Sequence, residues 1–173
     1  MNSWSEVSIP PLAAKRNFPQ LFLSDTASRV KEGVEHKATY RMYVCGITPY
    51  DATHLGHAAT YLTFDLINRF LRASGSEVRY VQNITDIDDP LLERANRDGI
   101  DWAQLAHQQI ELFRSDMVNL RVIPPTAYIG AVEAIPLVSA AIEQLSAKDS
   151  IYPVDQDLYF KVHMDADFGT RSH

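Results

Sequence analysis

Tyr43-Val-Cys-Gly-Ile-Thr-Pro-Tyr-Asp-Ala-Thr-His-Leu-Gly-His57 is the stretch on which the fold turns. Its first residues close a run, Tyr40-Arg-Met-Tyr-Val-Cys45, rich in β-branched and aromatic side chains and stopped by Gly46. That composition predicts a strand ending at Cys45. The stretch closes on His57, from which helical spacing runs to Ala73. Ala58, Leu62, Asp65-Leu66, Arg69-Phe70 and Ala73 share a flank, thickened by Tyr61, Phe64 and Ile67-Leu71. Gly75 ends the helix in the left-handed style. Glu77-Val-Arg-Tyr-Val-Gln-Asn83 then reads as a second strand. Strand, helix and strand within Tyr40–Asn83 predict a right-handed βαβ unit with parallel strands. The expected fold class is α/β: the first half of a Rossmann-like parallel sheet, followed by a mainly helical insertion.

Further along, Asp89 can cap a short helix with Pro90 at its first position, closing at Gly99. Asp101 can cap the next. There Trp102, Leu105, Ala106, Ile110, Phe113, Met117 and Leu120 recur at spacings of three and four, and Pro124-Pro125 ends the pattern. Another helix is expected from about Pro136, burying Val138, Ile142 and Leu145, and a last strand over Leu158–Val162. On the other side, Pro10, Pro11 and Pro19 argue against a helix. Leu21-Phe-Leu23 is a possible edge strand, with turn chemistry at Ser24-Asp-Thr26 and Lys31-Glu-Gly33. The expected division is an irregular leader over 1–39, a half Rossmann-like domain over 40–100, and a truncated helical insertion over 101–173.

Composition sets the outer limits. The 173 residues carry 16 Lys and Arg against 22 Asp and Glu, a net charge of −6, which is a poor footprint for a nucleic-acid binder. One Cys excludes a disulfide framework, so Cys45 is a core thiol, a nucleophile or a metal ligand. No apolar run spans a bilayer and no signal peptide opens the chain, so a soluble cytoplasmic protein with no membrane partner is expected.

The chemistry is concentrated between Tyr43 and Asp89. Ligands of open α/β sheets bind at the carboxyl ends of the strands, where Cys45 falls. His54-Leu-Gly-His57 sits at a helix start, where free N–H groups and the dipole favour phosphate. Two imidazoles there can donate to a phosphoryl group as its charge redistributes. Gly56, lacking a Cβ, would let a flat base approach. The plainer readings are a core cysteine, a packed or capping histidine, and packing roles for Tyr43, Tyr50 and Tyr61. Asp86, Asp88 and Asp89 invite a Ca²⁺ or Mg²⁺ reading, but the Gly and closing Glu of an EF-hand loop are absent. They also suit a strand end and a helix cap.

Taken together, Tyr-Val-Cys-Gly46, His54-Leu-Gly-His57 and Tyr80-Val-Gln-Asn-Ile-Thr-Asp-Ile-Asp-Asp89 resemble the cysteine-activating branch of the class I aminoacyl-tRNA synthetase superfamily. His54–His57 matches that superfamily's first signature, HIGH. The resemblance runs from Tyr43 through Val162. Two families share the frame, cysteinyl-tRNA synthetase and the mycothiol-biosynthesis ligases. Ile47–Tyr61 looks like the ligases nearly letter for letter. The synthetases typically have another residue at Pro49 and an Arg at Ala59. Asp89-Pro-Leu-Leu-Glu-Arg-Ala95 looks like the ligases too, since the synthetases usually follow their Asp pair with Lys, and Tyr128–Pro136 leans the same way.

The resemblance implies an ATP-dependent ligase that activates L-cysteine to cysteinyl-AMP and transfers it to the amine of glucosaminyl-inositol. It implies Zn²⁺ held in part by Cys45, with the metal taking the substrate thiolate, and ATP with Mg²⁺. Cys45, Gly46, Ile47, Thr48, Thr60, Asn83, Ile84 and Thr85 are expected to line the adenylate, and His54 and His57 to act on the ATP phosphates. A monomer that takes no tRNA is expected. The family's other zinc ligands and its Lys-rich second signature have no match here. His36, His107, His163 and His173 do not stand at ligand positions, and Lys148 and Lys161 are isolated. The chain therefore reads as an N-terminal portion, inactive alone. The alternatives are a cysteinyl-tRNA synthetase fragment and a non-catalytic nucleotide-binding fragment.

Overall fold

A computed structural model describes residues 1–10 and 17–170, so Pro11 and His173 lie outside the described residues. The chain forms two compact units, residues 1–18 with 36–134 and residues 19–35 with 135–173.

The first unit is built on a three-stranded parallel sheet in the order β3-β4-β5. Strand β3 is Thr39–Val44 and β4 is Glu77–Ile84, paired from Thr39↔Glu77 to Val44↔Gln82. Helix α1, Leu55–Ala73, crosses between them, so the βαβ unit expected from the sequence is present. Strand β5, Ala127–Gly130, adds a parallel third strand in register Val81↔Ala127 to Ile84↔Gly130. It was not expected: four residues between two helical patterns carry no alternation long enough to reveal a strand. The core-facing positions of α1 are Tyr61, Asp65, Asn68 and Leu71, so half of the buried face is polar. Their oxygens are paired, while the buried Asn68 Nδ2 has no partner. Asp65 accepts from Arg69 Nε at 2.6 Å and from Ile123 N at 2.9 Å, and Asn68 Oδ1 accepts from Arg72 Nε.

Helix α2 covers Asp89–Asp98 and α3 covers Trp102–Asn119. The cap of α2 is Asp88, not Asp89, which puts Pro90 one position further in; the Asp88 carboxylate accepts from Asp89 N at 3.0 Å. Asp101 caps α3 as expected, and Leu105, Ala106, Ile110, Phe113 and Met117 are buried. The helix stops before the prolines, where Arg121 takes a left-handed φ of 57°. Trp4 is also buried. Its indole donates to Val122 O at 2.8 Å, and its ring meets Phe113 and Tyr128 edge-on.

Helix α4 runs Ala131–Ala147 with Pro136 inside it, five residues upstream of the expected start. A carboxylate distant in sequence sets that start: Asp86 Oδ1 accepts from Val132 N at 2.9 Å. Val138 and Ile142 are exposed and Leu145 is half-buried, against the expectation of burial. In the second unit, β1 (Phe22–Ser24) pairs antiparallel with β2 (Lys31–Gly33), so Lys31-Glu-Gly33 is a strand where a turn was expected. Pairing with the exposed Phe22–Ser24 edge satisfies its backbone, which a polar tripeptide cannot announce by composition. Strands β6 (Ile151–Val154) and β7 (Asp157–Phe160) form a second hairpin, of which only the later strand was expected.

Candidate active site

Past the last β3–β4 pair, the two strand ends stay joined by the Asn83 side chain and by one backbone bond. Gly46 N donates to Asn83 Oδ1 at 2.7 Å, Tyr43 Oη donates to the same oxygen at 2.9 Å, and Thr85 N donates to Ile47 O at 2.9 Å. Gly46 and Ile47 thus lie directly against Asn83–Thr85. A Cβ on Gly46 would sit 1.7 Å from the Asn83 carbonyl oxygen, so space alone demands glycine here. Cys45 follows β3 directly and is exposed. Its carbonyl accepts from the buried Tyr61 hydroxyl at 3.2 Å. Burial, with the neighbouring Cys45 adding to it, pushes the Tyr61 phenol well above its usual range and keeps it a donor.

The loop from Gly46 to Thr53 is fastened from outside. Thr48 Oγ1 donates to the α2 cap, Asp88 Oδ2, at 3.2 Å. Asp51 pairs with Arg94 of α2 at 3.2 Å. Thr53 Oγ1 donates to Asp116 Oδ2 of α3 at 2.5 Å. Pro49 is fully buried beneath the loop.

His54 is the N-cap of α1. Its Nδ1 accepts from Gly56 N at 3.0 Å, while His57 Nδ1 accepts from His54 N at 3.2 Å, a reciprocal capping box made of two imidazoles. An Nδ1 that accepts a backbone N–H carries no proton, so in each neutral ring the hydrogen is on Nε2. Both rings thereby offer an Nε2–H donor at the positive end of a 19-residue helix. Their centroids are 4.1 Å apart, and burial together with His54 lowers the pKa of His57. A Cβ on Gly56 would come within 2.8 Å of the His54 ring, so this glycine leaves room for the capping imidazole.

The structure brings Cys45, Gly46, Ile47 and Thr48 together with Asn83, Ile84 and Thr85, and pairs His54 with His57. Ile47 and Ile84 are buried, so whatever they offer a ligand comes from backbone atoms. Thr60 is exposed one turn along α1, its hydroxyl donating to Gly56 O at 3.1 Å. The three aspartates are separated by role. Asp86 is buried and caps α4, Asp88 caps α2, and Asp89 opens that helix. Among the described residues no three His, Cys, Asp or Glu side chains come together to hold a metal. Cys45 fits zinc as one accessible thiolate donor and no more.

Arg94 and Asp116 were not singled out from the sequence. The signal for Asp116 is faint, an acid set between the core positions Phe113 and Met117. Beside His54, a cavity of about 470 Å³ is lined by Thr53, Leu55, Ala58, Asp116, Met117 and Leu120 among others. No helix among the described residues is long and apolar enough to cross a membrane.

A family described as tRNA synthetases class I (C) catalytic domain matches residues 31–173. The chain is 53% identical over 176 residues to the L-cysteine:1D-myo-inositol 2-amino-2-deoxy-alpha-D-glucopyranoside ligase of Nocardia farcinica, covering 99% of this chain and 42% of that protein. It is 54% identical to the ligase of the same name from Thermomonospora curvata, covering 98% and 42%. The chain thus spans about two-fifths of the length of these curated relatives. In fold it is similar to Mycobacterium tuberculosis methionyl-tRNA synthetase in complex with methionyl-adenylate, with TM-score 0.62 and 24% identity over 67% of this chain and 23% of that one.

Proposed function

This chain belongs to the class I (C) tRNA synthetase catalytic-domain family, and we propose that it supplies the adenylate-forming half-site of an ATP-dependent cysteine ligase. In the proposed reaction the carboxylate of L-cysteine attacks the α-phosphorus of Mg²⁺-bound ATP and pyrophosphate leaves. The amine of glucosaminyl-inositol then attacks the acyl carbon of cysteinyl-AMP, loses its proton, forms an amide and releases AMP. A monomer working in the cytoplasm completes the reading.

One observation supports it: the chain leaves β3 through Gly46–Thr53 into the N-terminus of α1, capped by His54 and His57, and the strand ends at Gly46–Ile47 and Asn83–Thr85 are bonded to each other. Donors at a helix N-terminus suit the phosphates. The missing Cβ of Gly46 lets the Asn83 backbone close against it, which brings the two strand ends together where the adenylate would lie. Thr60 and Asn83 would add side-chain contacts. Cys45 would give zinc one thiolate, and zinc when bound reads a substrate thiol in preference to a hydroxyl. The acceptor assignment is supported by the two ligases that are 53% and 54% identical and by Pro49, Ala59 and Pro90.

The description of the matched family favours a second reading, in which tRNA is the acceptor. The test is cysteine-dependent exchange of pyrophosphate into ATP by a full-length protein containing this chain, followed by acceptor addition. AMP release with glucosaminyl-inositol and not with tRNA supports the ligase. Release with tRNA alone selects the synthetase. A folded protein with no exchange overturns both.

A further inference from the structure

We infer that Asp116 is a positioning residue for the first signature, acting through Thr53 on the two capping histidines. This rests on the functional reading above only for its kinetic consequence. The geometry stands by itself.

Thr53 immediately precedes the N-cap His54, in the irregular segment where backbone conformation is not set by helix hydrogen bonds. Its hydroxyl donates to Asp116 Oδ2 at 2.5 Å, across 63 positions of sequence. Asp116 is held on a rigid support. Its neighbours Phe113 and Met117 are almost wholly buried, and its own carbonyl accepts from Leu120 N at 2.9 Å. No Lys or Arg forms an ion pair with this half-buried carboxyl group among the described residues, and the Thr53 hydroxyl donates to it. A short hydrogen bond from a hydroxyl to a carboxyl oxygen has a narrow geometry. Fixing Thr53 fixes where the chain enters α1, and so where His54 N meets His57 Nδ1 and Gly56 N meets His54 Nδ1. Thr48–Asp88 and Asp51–Arg94 fasten the same loop further back. Of these three bonds, the Asp116 one acts at the residue that directly precedes His54.

Two measurements test this. In the 173-residue chain, proton–nitrogen correlation spectra report the Nδ1 and Nε2 states of His54 and His57. Asp116→Ala and Thr53→Val should shift or broaden both imidazoles, while Thr53→Ser, which keeps the hydroxyl, should leave them near the parent positions. Unchanged imidazole signals in folded Asp116→Ala overturn the inference. In the full-length protein, the same two variants should slow pre-steady-state adenylate formation, on the order of 10²-fold for a misplacement near 1 Å. The KM for ATP should move far less, with Thr53→Ser close to parent. The double variant should be no slower than either single one, because both remove one link. Rates that multiply in the double variant overturn the inference. A parent protein without cysteine-dependent exchange defeats the functional reading instead, and the imidazole spectra then decide the positioning role alone.

Discussion

Replacing Gly46 by Ala perturbs the point where β3 and β4 separate. The added Cβ would sit 1.7 Å from the Asn83 carbonyl oxygen, 2.6 Å from its carbonyl carbon and 3.1 Å from Ile84 Cα. All three are backbone atoms, so no side chain can swing aside. The first distance falls more than an ångström short of the 3.0 Å below which real Cβ contacts are essentially never seen. The strand ends must separate, which strains the Gly46 N–Asn83 Oδ1 bond at 2.7 Å and the Thr85 N–Ile47 O bond at 2.9 Å. Overpacking of this kind costs about 1–3 kcal/mol, and a lost hydrogen bond roughly 0.5–1.5 more. A total near 2–4 kcal/mol lowers the Tm of a chain this size by roughly 5–15 °C. The assay is thermal unfolding of the 173-residue chain followed by circular dichroism. Gly99→Ala makes an informative control: its φ is +66° with nothing near the added Cβ, so it strains conformation without a clash. Gly46→Ala melting within 2 °C of the parent would falsify the claim that the strand ends are in rigid contact.

Stability should fall as pH drops through the window beginning at about 6.5, because burial and His54 hold the native pKa of His57 below that ordinary value. The unfolded chain then binds the proton more readily; stability is complete above the window, is lost within it and levels off below the native pKa, and urea midpoints of His57→Gln should be flatter there than those of the parent. Tyr61→Phe removes the donor to Cys45 O and should cost about 0.5–1.5 kcal/mol in urea unfolding, with no change expected if that bond is unimportant. In the full-length protein Cys45→Ser should lose zinc and cysteine activation together, and unchanged zinc content removes Cys45 from the ligand set. His54→Asn and His57→Asn in the full-length protein should each slow adenylate formation by about 10²–10³, which pre-steady-state kinetics on folded variants will read.

The central βαβ unit was legible because its signals are local: a β-branched run, a helical period and glycines at the boundaries, all within 44 residues. The strong stripe of α3 was legible for the same reason. What escaped depends on partners distant in sequence. Strand β5 is four residues long and exists through its pairing with β4. The start of α4 is set by Asp86, 46 positions away, and not by Pro136. Val138 and Ile142 are exposed: a period of 3.6 marks an apolar face and not what covers it. At the candidate site the residue types and the gathering of strand ends were readable from the motifs. The fastening of the loop by Asp88, Arg94 and Asp116 was not, since each is one charge on a helix until the fold brings it to its partner.

The histidine pair also shows why a capping role and a catalytic role need not compete. The capping bonds consume Nδ1 of both rings, and that consumption leaves Nε2 as the nitrogen that carries the hydrogen in each neutral ring. Folding of the helix start therefore selects the tautomer that the proposed phosphate contact needs. Protonation of His57 would put a hydrogen on the nitrogen that accepts from His54 N, so the cap opposes the imidazolium in addition to burial and the neighbouring ring. The two roles separate chemically in a variant. Asparagine is among the strongest N-caps, and its short amide can accept from the first turn, but it has nothing at the place of Nε2–H. At position 54 the helix can thus stay capped while the Nε2–H donor disappears, so a rate lost there without a loss of stability would assign His54 to the proposed phosphate contact and not to the helix.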